Sequence, residues 1–313
     1  MKTRAYKQVD VFTDLRFFGN ALAVVLDGNG LSEVAMQRFA RWTNLSETTF
    51  LLPPTEPSAD YRVRIFTPDG ELPFAGHPTL GSCHAWLQAG SQPKQPGRIV
   101  QQCAKGLIDI RMEGKRPAFA APALTRSTPS QLQLARVAGA LGLSPAQIIA
   151  AQQLDNGPVW LSLLLDSPDT VLQLTPDHVA LKQIGVKVGV AARYTNGADA
   201  AEAATAPPIA RGNREARAFT PRAAAPDPAA FTPDLEVRGF AASMGINEDP
   251  VTGSLNASLA QWLIEDGHLP AQYCASQGVC LGRAGQVYIE RDAEGQVWVG
   301  GDSVTCIDGR VEL

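Results

Sequence analysis

Glu47, His77 and Asp249 are the residues whose types and settings suit proton transfer on a small acid. Glu47 lies in Asn44-Leu45-Ser46-Glu47-Thr48-Thr49-Phe50, a carboxylate at the edge of an apolar, strand-like run, where partial desolvation favours a general base. An ordinary edge-strand glutamate facing water is the competing reading. His77 and Asp249 occupy equivalent places in two near-copies of one motif. His77-Pro78-Thr79-Leu80-Gly81-Ser82-Cys83-His84-Ala85-Trp86-Leu87 and Asp249-Pro250-Val251-Thr252-Gly253-Ser254-Leu255-Asn256-Ala257-Ser258-Leu259 both read x-Pro-x-x-Gly-Ser-x-x-Ala-x-Leu. Each copy predicts a helix with His or Asp at the N-cap and Pro at the first helical position. A capping role alone would explain Asp249, and a hydrogen-bonded structural histidine would explain His77.

The match extends upstream, where Val63-Arg64-Ile65-Phe66 precedes the first copy and Val237-Arg238-Gly239-Phe240 the second, so the chain reads as a duplicated unit. Two helix N-termini brought together by pseudo-twofold symmetry would make a pocket suited to a small carboxylic acid. The expected substrate-binding set is Asn20, Gly76, Ser82, Asn156, Gly253 and Ser254. Gly76 lets backbone approach a ligand, Ser82 and Ser254 offer hydroxyls in the first helical turns, and Asn20 and Asn156 stand at turns, where turn chemistry alone would also place them. The stretch from Gly76 to Gly81 lacks the lysine and the spacing of a phosphate loop.

The elements that must hold these residues read as short strands with polar turns. Strands are expected at Lys7 to Phe12, Asn20 to Leu26, Ser46 to Leu52, Tyr61 to Thr67, Arg98 to Gln102, Leu107 to Glu113, Val159 to Leu165, Glu236 to Phe240, Val287 to Arg291, Val297 to Val299 and Val304 to Ile307. Helices are expected from about Glu33 to Trp42, at the two motif copies, and at Ser130 to Leu141 and Ser144 to Ala151. The fold class is α+β with mainly antiparallel sheets and one buried helix per half, the halves being 1–118 and 119–313. The second half carries an Ala/Pro-rich insertion at about 198–234, too poor in large apolar groups to build core.

The chain of 313 residues suits two domains. Charged residues make up 19% and the net charge is −4, with no Lys/Arg cluster interleaved with aromatics, so a nucleic-acid partner is not expected. The N-terminus enters a strand-like pattern with no apolar signal region, and the longest apolar runs are too short for a bilayer, so no membrane partner and a cytoplasmic location are expected. Five cysteines without C-x-x-C spacing and four scattered histidines predict neither a disulfide framework nor a metal site.

Taken together, Val11-Phe12-Thr13, Phe18-Gly19-Asn20-Ala21-Leu22-Ala23-Val24-Val25, Asn44-Leu45-Ser46-Glu47-Thr48, Phe74-Ala75-Gly76-His77-Pro78-Thr79-Leu80-Gly81, Glu248-Asp249-Pro250-Val251-Thr252-Gly253-Ser254 and Ser276-Gln277-Gly278 with Gly282-Arg283 resemble the phenazine biosynthesis PhzF family. The resemblance spans both halves. It implies a diaminopimelate-epimerase-like fold, with two pseudo-symmetric domains each wrapping an antiparallel barrel-like sheet around a central helix, a site between them, a homodimer, and no cofactor or metal. It implies an isomerase of a small unsaturated amino or hydroxy acid, of the trans-2,3-dihydro-3-hydroxyanthranilate isomerase type. Glu47 matches the acid/base that takes and returns the proton, while Asp249, His77 and Ser254 match residues that hold the substrate's amino and carboxylate groups, beside Gly76. In related epimerases two cysteines face each other, and here those places look like Gly76 and Asp249. The sequence departs from the family pattern in the insertion and in Asn256, which stands where a histidine is often found. An amino-acid racemase or epimerase, and a small-acid-binding protein without turnover, are the alternative readings.

Overall fold

In a computed structural model, which describes residues 2–194 and 232–313, the chain forms two compact units, Met1–Ala120 with Trp298–Leu313, and Ala121–Val297. Apart from its last residues, the Ala/Pro-rich insertion lies outside the described residues.

The first unit runs β1 (Thr3–Val11), β2 (Asn20–Val25), α1 (Glu33–Thr43), β3 (Glu47–Leu52), β4 (Tyr61–Phe66), β5 (Glu71–Leu72), α2 (Gly76–Gln88), β6 (Arg98–Cys103), β7 (Gly106–Glu113) and β8 (Arg116–Ala120). Ser32 starts α1 by accepting from the Ala35 amide, and Asn44 ends it in the left-handed region at φ 54°. The second unit holds β9 (Thr125–Ser127), α3 (Gln131–Leu141), β10 (Ile148–Asp155), β11 (Val159–Leu165), α4 (Pro168–Gln173), α5 (His178–Ile184), β12 (Lys187–Arg193), β13 (Leu235–Ala241), β14 (Ile246–Asp249), α6 (Gly253–Glu265), β15 (Gln272–Gln277) and β16 (Gly285–Arg291). Then follow β17 (Val297–Gly300) and β18 (Ser303–Glu312).

The duplication read from the motif is visible in the ladders. In the first unit β1–β2 and β3–β4 are antiparallel, β2–β3 is parallel across α1, β4 forms a hairpin with β5, and β4–β6 is parallel across α2. In the second, β10–β11 and β12–β13 are antiparallel, β11–β12 is parallel across α4 and α5, β13 forms a hairpin with β14, and β13–β15 is parallel across α6. These crossovers return their strands parallel, so the expected antiparallel sheets carry parallel pairs across α1, α2, α4–α5 and α6, whereas β9 and β10 pair antiparallel across α3. The upstream Val-Arg-x-Phe match has the same physical content in both copies. Arg64 grips Glu71 with Nε and Nη2 and lies 5.0 Å from the Phe66 ring centre. Arg238 grips Glu248 in the same way and lies 5.1 Å from the Phe240 ring centre.

Four expectations are corrected. The second half does not extend to residue 313, because β18 pairs antiparallel with β1 from Thr3 to Val11 and so completes the first unit. The segment Ser144 to Ala151 is not a helix: the Gln147 side chain accepts the Ser144 amide and closes one turn, after which Ile148 starts β10, its β-branched side chains fitting a strand. His77 is not an N-cap, since Ala75 holds that position with extended angles and Pro78 falls third in α2, where a missing N–H costs nothing. Nor is Asp249 an N-cap. It ends β14, paired with Gly239, and α6 begins only at Gly253 after the N-cap Thr252.

Both motif helices are buried along most of their length, as a helix wrapped by strands must be. Gly76 to Cys83 of α2 are all buried, and the helix packs on β1, β2, β3, β6, β8 and β18. In α6 the buried set runs from Leu255 to Ala260 without a break.

Candidate functional site

Glu47 opens β3 beside Leu22 of β2, at the point where the strand passes from half-buried to fully buried residues. Its Oε2 lies 3.3 Å from His77 Nε2. His77 is the second residue of α2, and its Nδ1 is 3.4 Å from Asn20 Nδ2. Ser46 Oγ donates to Asn20 Oδ1 at 3.3 Å, which turns the Asn20 NH₂ toward the imidazole. An NH₂ donates, so Nδ1 accepts and the ring proton sits on Nε2, facing Glu47. Burial pushes the His77 pKa down to about 3, so the ring is neutral near pH 7. The positive end of α2 acts in the same direction. The pair is therefore a carboxylate 3.3 Å from a neutral imidazole whose Nε2–H makes no hydrogen bond among the described residues.

Asn20, Glu47, His77 and Gly76, the first residue of α2, are thus brought together, with Ser46 as a member that sequence reading did not select. Ser82 is not part of this group. It is fully buried and donates to Thr49 Oγ1 at 3.0 Å, docking α2 onto β3.

The second unit assembles its own group at the start of α6. Thr252 Oγ1 donates to Asp249 Oδ2 at 2.7 Å. Ser254, second in α6 after Gly253, accepts from Trp160 Nε1 at 3.2 Å, and its carbonyl accepts from Asn156 Nδ2 at 2.9 Å. A hydroxyl that accepts an indole N–H has its own proton to donate onward, which suits a carboxylate ligand. Asn156 is both the turn residue before Gly157, whose φ is 126°, and a clamp on the helix start. Neither Ala75 nor Thr252 caps its helix with a side chain, so both N-termini keep their anion-binding character.

Among the described residues no three His, Cys, Asp or Glu side chains converge as metal ligands, and no helix is long and apolar enough to cross a membrane. Cys83 is fully buried within α2, and burial with the nearby Asp60 charge pushes its thiol up to about 12, so it supplies no thiolate.

Residues 9–309 match the model of the phenazine biosynthesis-like protein family, PhzC-PhzF. The chain belongs to this family. It is 32% identical to antisense-enhancing sequence 1 of Schizosaccharomyces pombe, with 99% of each chain covered. It is 30% identical to the trans-2,3-dihydro-3-hydroxyanthranilate isomerase of Pseudomonas aeruginosa, over 98% of this chain and 99% of that one. The crystal structure of a PhzF-family phenazine biosynthesis protein from Enterococcus faecalis superposes with a TM-score of 0.74 at 25% identity, over the whole of both chains. The fold is the α+β, diaminopimelate-epimerase-like fold of that family, and the chain is a PhzF-family isomerase.

Within this family frame, sequence reading missed Ser46, Trp160, Thr252 and Gln277 as residues that orient the site. Thr252 and Gln277 stand inside the motifs that carry the resemblance. Trp160 had no local signal, because its role depends on β11 lying beside the start of α6.

Proposed function

We propose that the chain isomerises a small unsaturated amino or hydroxy acid by abstracting and returning a proton, without a cofactor, and that its substrate is of the trans-2,3-dihydro-3-hydroxyanthranilate type. The observation that carries this reading is the Glu47 carboxylate set 3.3 Å from the neutral, Asn20-oriented His77. Glu47 takes the proton from the carbon that bears the hydroxyl. The electron pair released is delocalised through the adjacent double bond, and Glu47 returns a proton to another ring carbon, so the double bond shifts and the formula is unchanged. His77, Asp249 and Ser254 hold the substrate's amino and carboxylate groups, with Asp249 accepting and Ser254 donating.

The supporting relative is the Pseudomonas aeruginosa isomerase named for that substrate. Glu47→Gln keeps the size and much of the hydrogen bonding but removes the base, and should lower turnover and exchange of substrate hydrogen with deuterated water by about 10²–10⁴-fold. Exchange at the wild-type rate would end the assignment. The working form proposed is a cytoplasmic homodimer, and a monomer mass by light scattering would remove the dimer from the proposal.

A further inference from the structure

Resting on the reading of Asp249 as a substrate contact, we propose that Thr252 and Gln277 are positioning residues, a directed hydrogen-bond relay that fixes Asp249 as an acceptor for the substrate's amino or hydroxyl hydrogen. Gln277 is fully buried at the end of β15. Its Oε1 accepts from the Thr252 amide at 3.0 Å and from Asn256 Nδ2 at 2.9 Å, which settles the orientation of the side-chain amide. Nε2 then meets Thr252 Oγ1 at 2.9 Å and the Asp249 carbonyl at 3.1 Å, and an NH₂ can only donate. Having accepted, the Thr252 hydroxyl has one proton left to place, and Asp249 Oδ2 at 2.7 Å is where it goes. Each step dictates the polarity of the next, and the chain ends on a carboxylate oxygen, where a hydrogen bond to charge is among the stronger kinds.

The first unit shows a similar device ending on backbone instead of on a carboxylate. There Gln101 Nε2 donates to Thr79 Oγ1 at 2.9 Å, and Thr79 passes its proton to the Ala75 carbonyl at 2.9 Å. That chain ends on backbone and secures the start of α2. In the second unit the end point is a side chain with chemistry of its own.

Space for the relay is reserved by Gly239, which replaces the Ile65 of the first copy. A Cβ at Gly239 would stand 2.9 Å from Thr252 Oγ1 and 3.4 Å from Gln277 Nε2. Asn256 belongs to the same network: its Nδ2 also donates to the Thr252 carbonyl at 3.0 Å, so the residue that departs from the family pattern anchors the acceptor end of Gln277.

The test uses the full chain labelled with [4-¹³C]aspartate, the Asp249 carboxyl resonance being assigned by its loss in Asp249→Asn. In ligand-free protein Thr252→Val should displace that resonance, Thr252→Ser should return it to the wild-type position, and Gln277→Leu should displace it in the same direction as Thr252→Val. With trans-2,3-dihydro-3-hydroxyanthranilate, Thr252→Val should raise KM about tenfold, the worth of one charge-assisted hydrogen bond, and change kcat less than about threefold. A resonance that stays put in folded Thr252→Val, or that Ser fails to restore, would overturn the relay, as would a fall in kcat at constant KM. Should Thr252→Val not fold, Gln277→Leu decides on the same resonance. If the wild-type chain does not turn over this acid, the substrate proposal fails while the ligand-free measurement still judges the relay.

Discussion

The duplicated Arg–Glu grips allow burial to be isolated as a variable, because one interaction is built twice in different surroundings. The Arg238–Glu248 pair has side chains 5% and 7% exposed, whereas those of Arg64–Glu71 are 21% and 27% exposed. Replacing Glu248 with Gln keeps the shape and one acceptor but leaves the Arg238 guanidinium buried without a counter-charge. Its Nη1 bonds to the Val171 and Leu174 carbonyls do not supply one. Breaking a buried pair in this way costs about 3–5 kcal/mol, a factor of roughly 10²–10³ or more in the folding constant. Glu71→Gln should cost only about 1 kcal/mol, since Arg64 retains Glu33 at 2.9 Å and has access to water. Urea denaturation followed by tryptophan fluorescence and far-UV circular dichroism measures both variants against wild type. The double variant Arg238→Met/Glu248→Leu should recover most of the loss, because an apolar pair of similar volume needs no desolvation of charge. Equal losses for Glu248→Gln and Glu71→Gln, or no recovery in the double variant, would refute the claim that burial sets the strength of this grip.

Other outcomes follow from individual groups. Burial pushes the folded His77 from the usual 6.5 down to about 3, so between these pH values the unfolded chain binds more protons. Its contribution is therefore complete above about pH 6.5 and is lost as pH falls toward 3, by at most about 5 kcal/mol, and His77→Asn should flatten that limb of a stability–pH curve. Glu236 behaves with the opposite sign. Burial raises it from 4.5 to about 8, so stability falls as pH rises across that window, and Glu236→Gln should remove the slope. Gly278 sits at φ +99°, and a Cβ there would stand 2.6 Å from the Pro250 carbonyl oxygen, so Gly278→Ala should lower stability by more than about 2 kcal/mol in urea. Because the Cys83 thiol is buried and pushed up to about 12, iodoacetamide at neutral pH should leave activity unchanged, and inactivation traced to Cys83 by mass spectrometry would contradict this.

What the sequence disclosed and what it withheld divide along the range of the interactions involved. Ser32 and Asn44 announce α1 because capping is local, and the duplicated motif announces α2 and α6 because a helix buried on all sides needs a continuous apolar and small-residue stretch. The partnership of Asn20, Glu47 and His77 was legible only as separate candidates, since what joins them is the parallel seating of β3 on β2 and the docking of α2 behind both. The errors have the same origin. An Asp-Pro before a helix predicts a cap at Asp249, but its strand pairing with Gly239 holds it extended and moves the helix start to Gly253. That displacement is what frees the Asp249 carboxylate from capping α6. As a cap it would direct its carboxylate to the amides of its own helix, whereas at the end of β14 it takes the Thr252 proton and leaves the first turn of α6 without a side-chain cap. Ser82 shows the converse, for it shares a motif position with Ser254 yet meets Thr49 in the core, because α2 begins several residues earlier in the motif than α6 and carries Ser82 past the helix end into the packed interface. Equivalent residues in a duplicated sequence thus acquire different roles according to where the strand before them lets go.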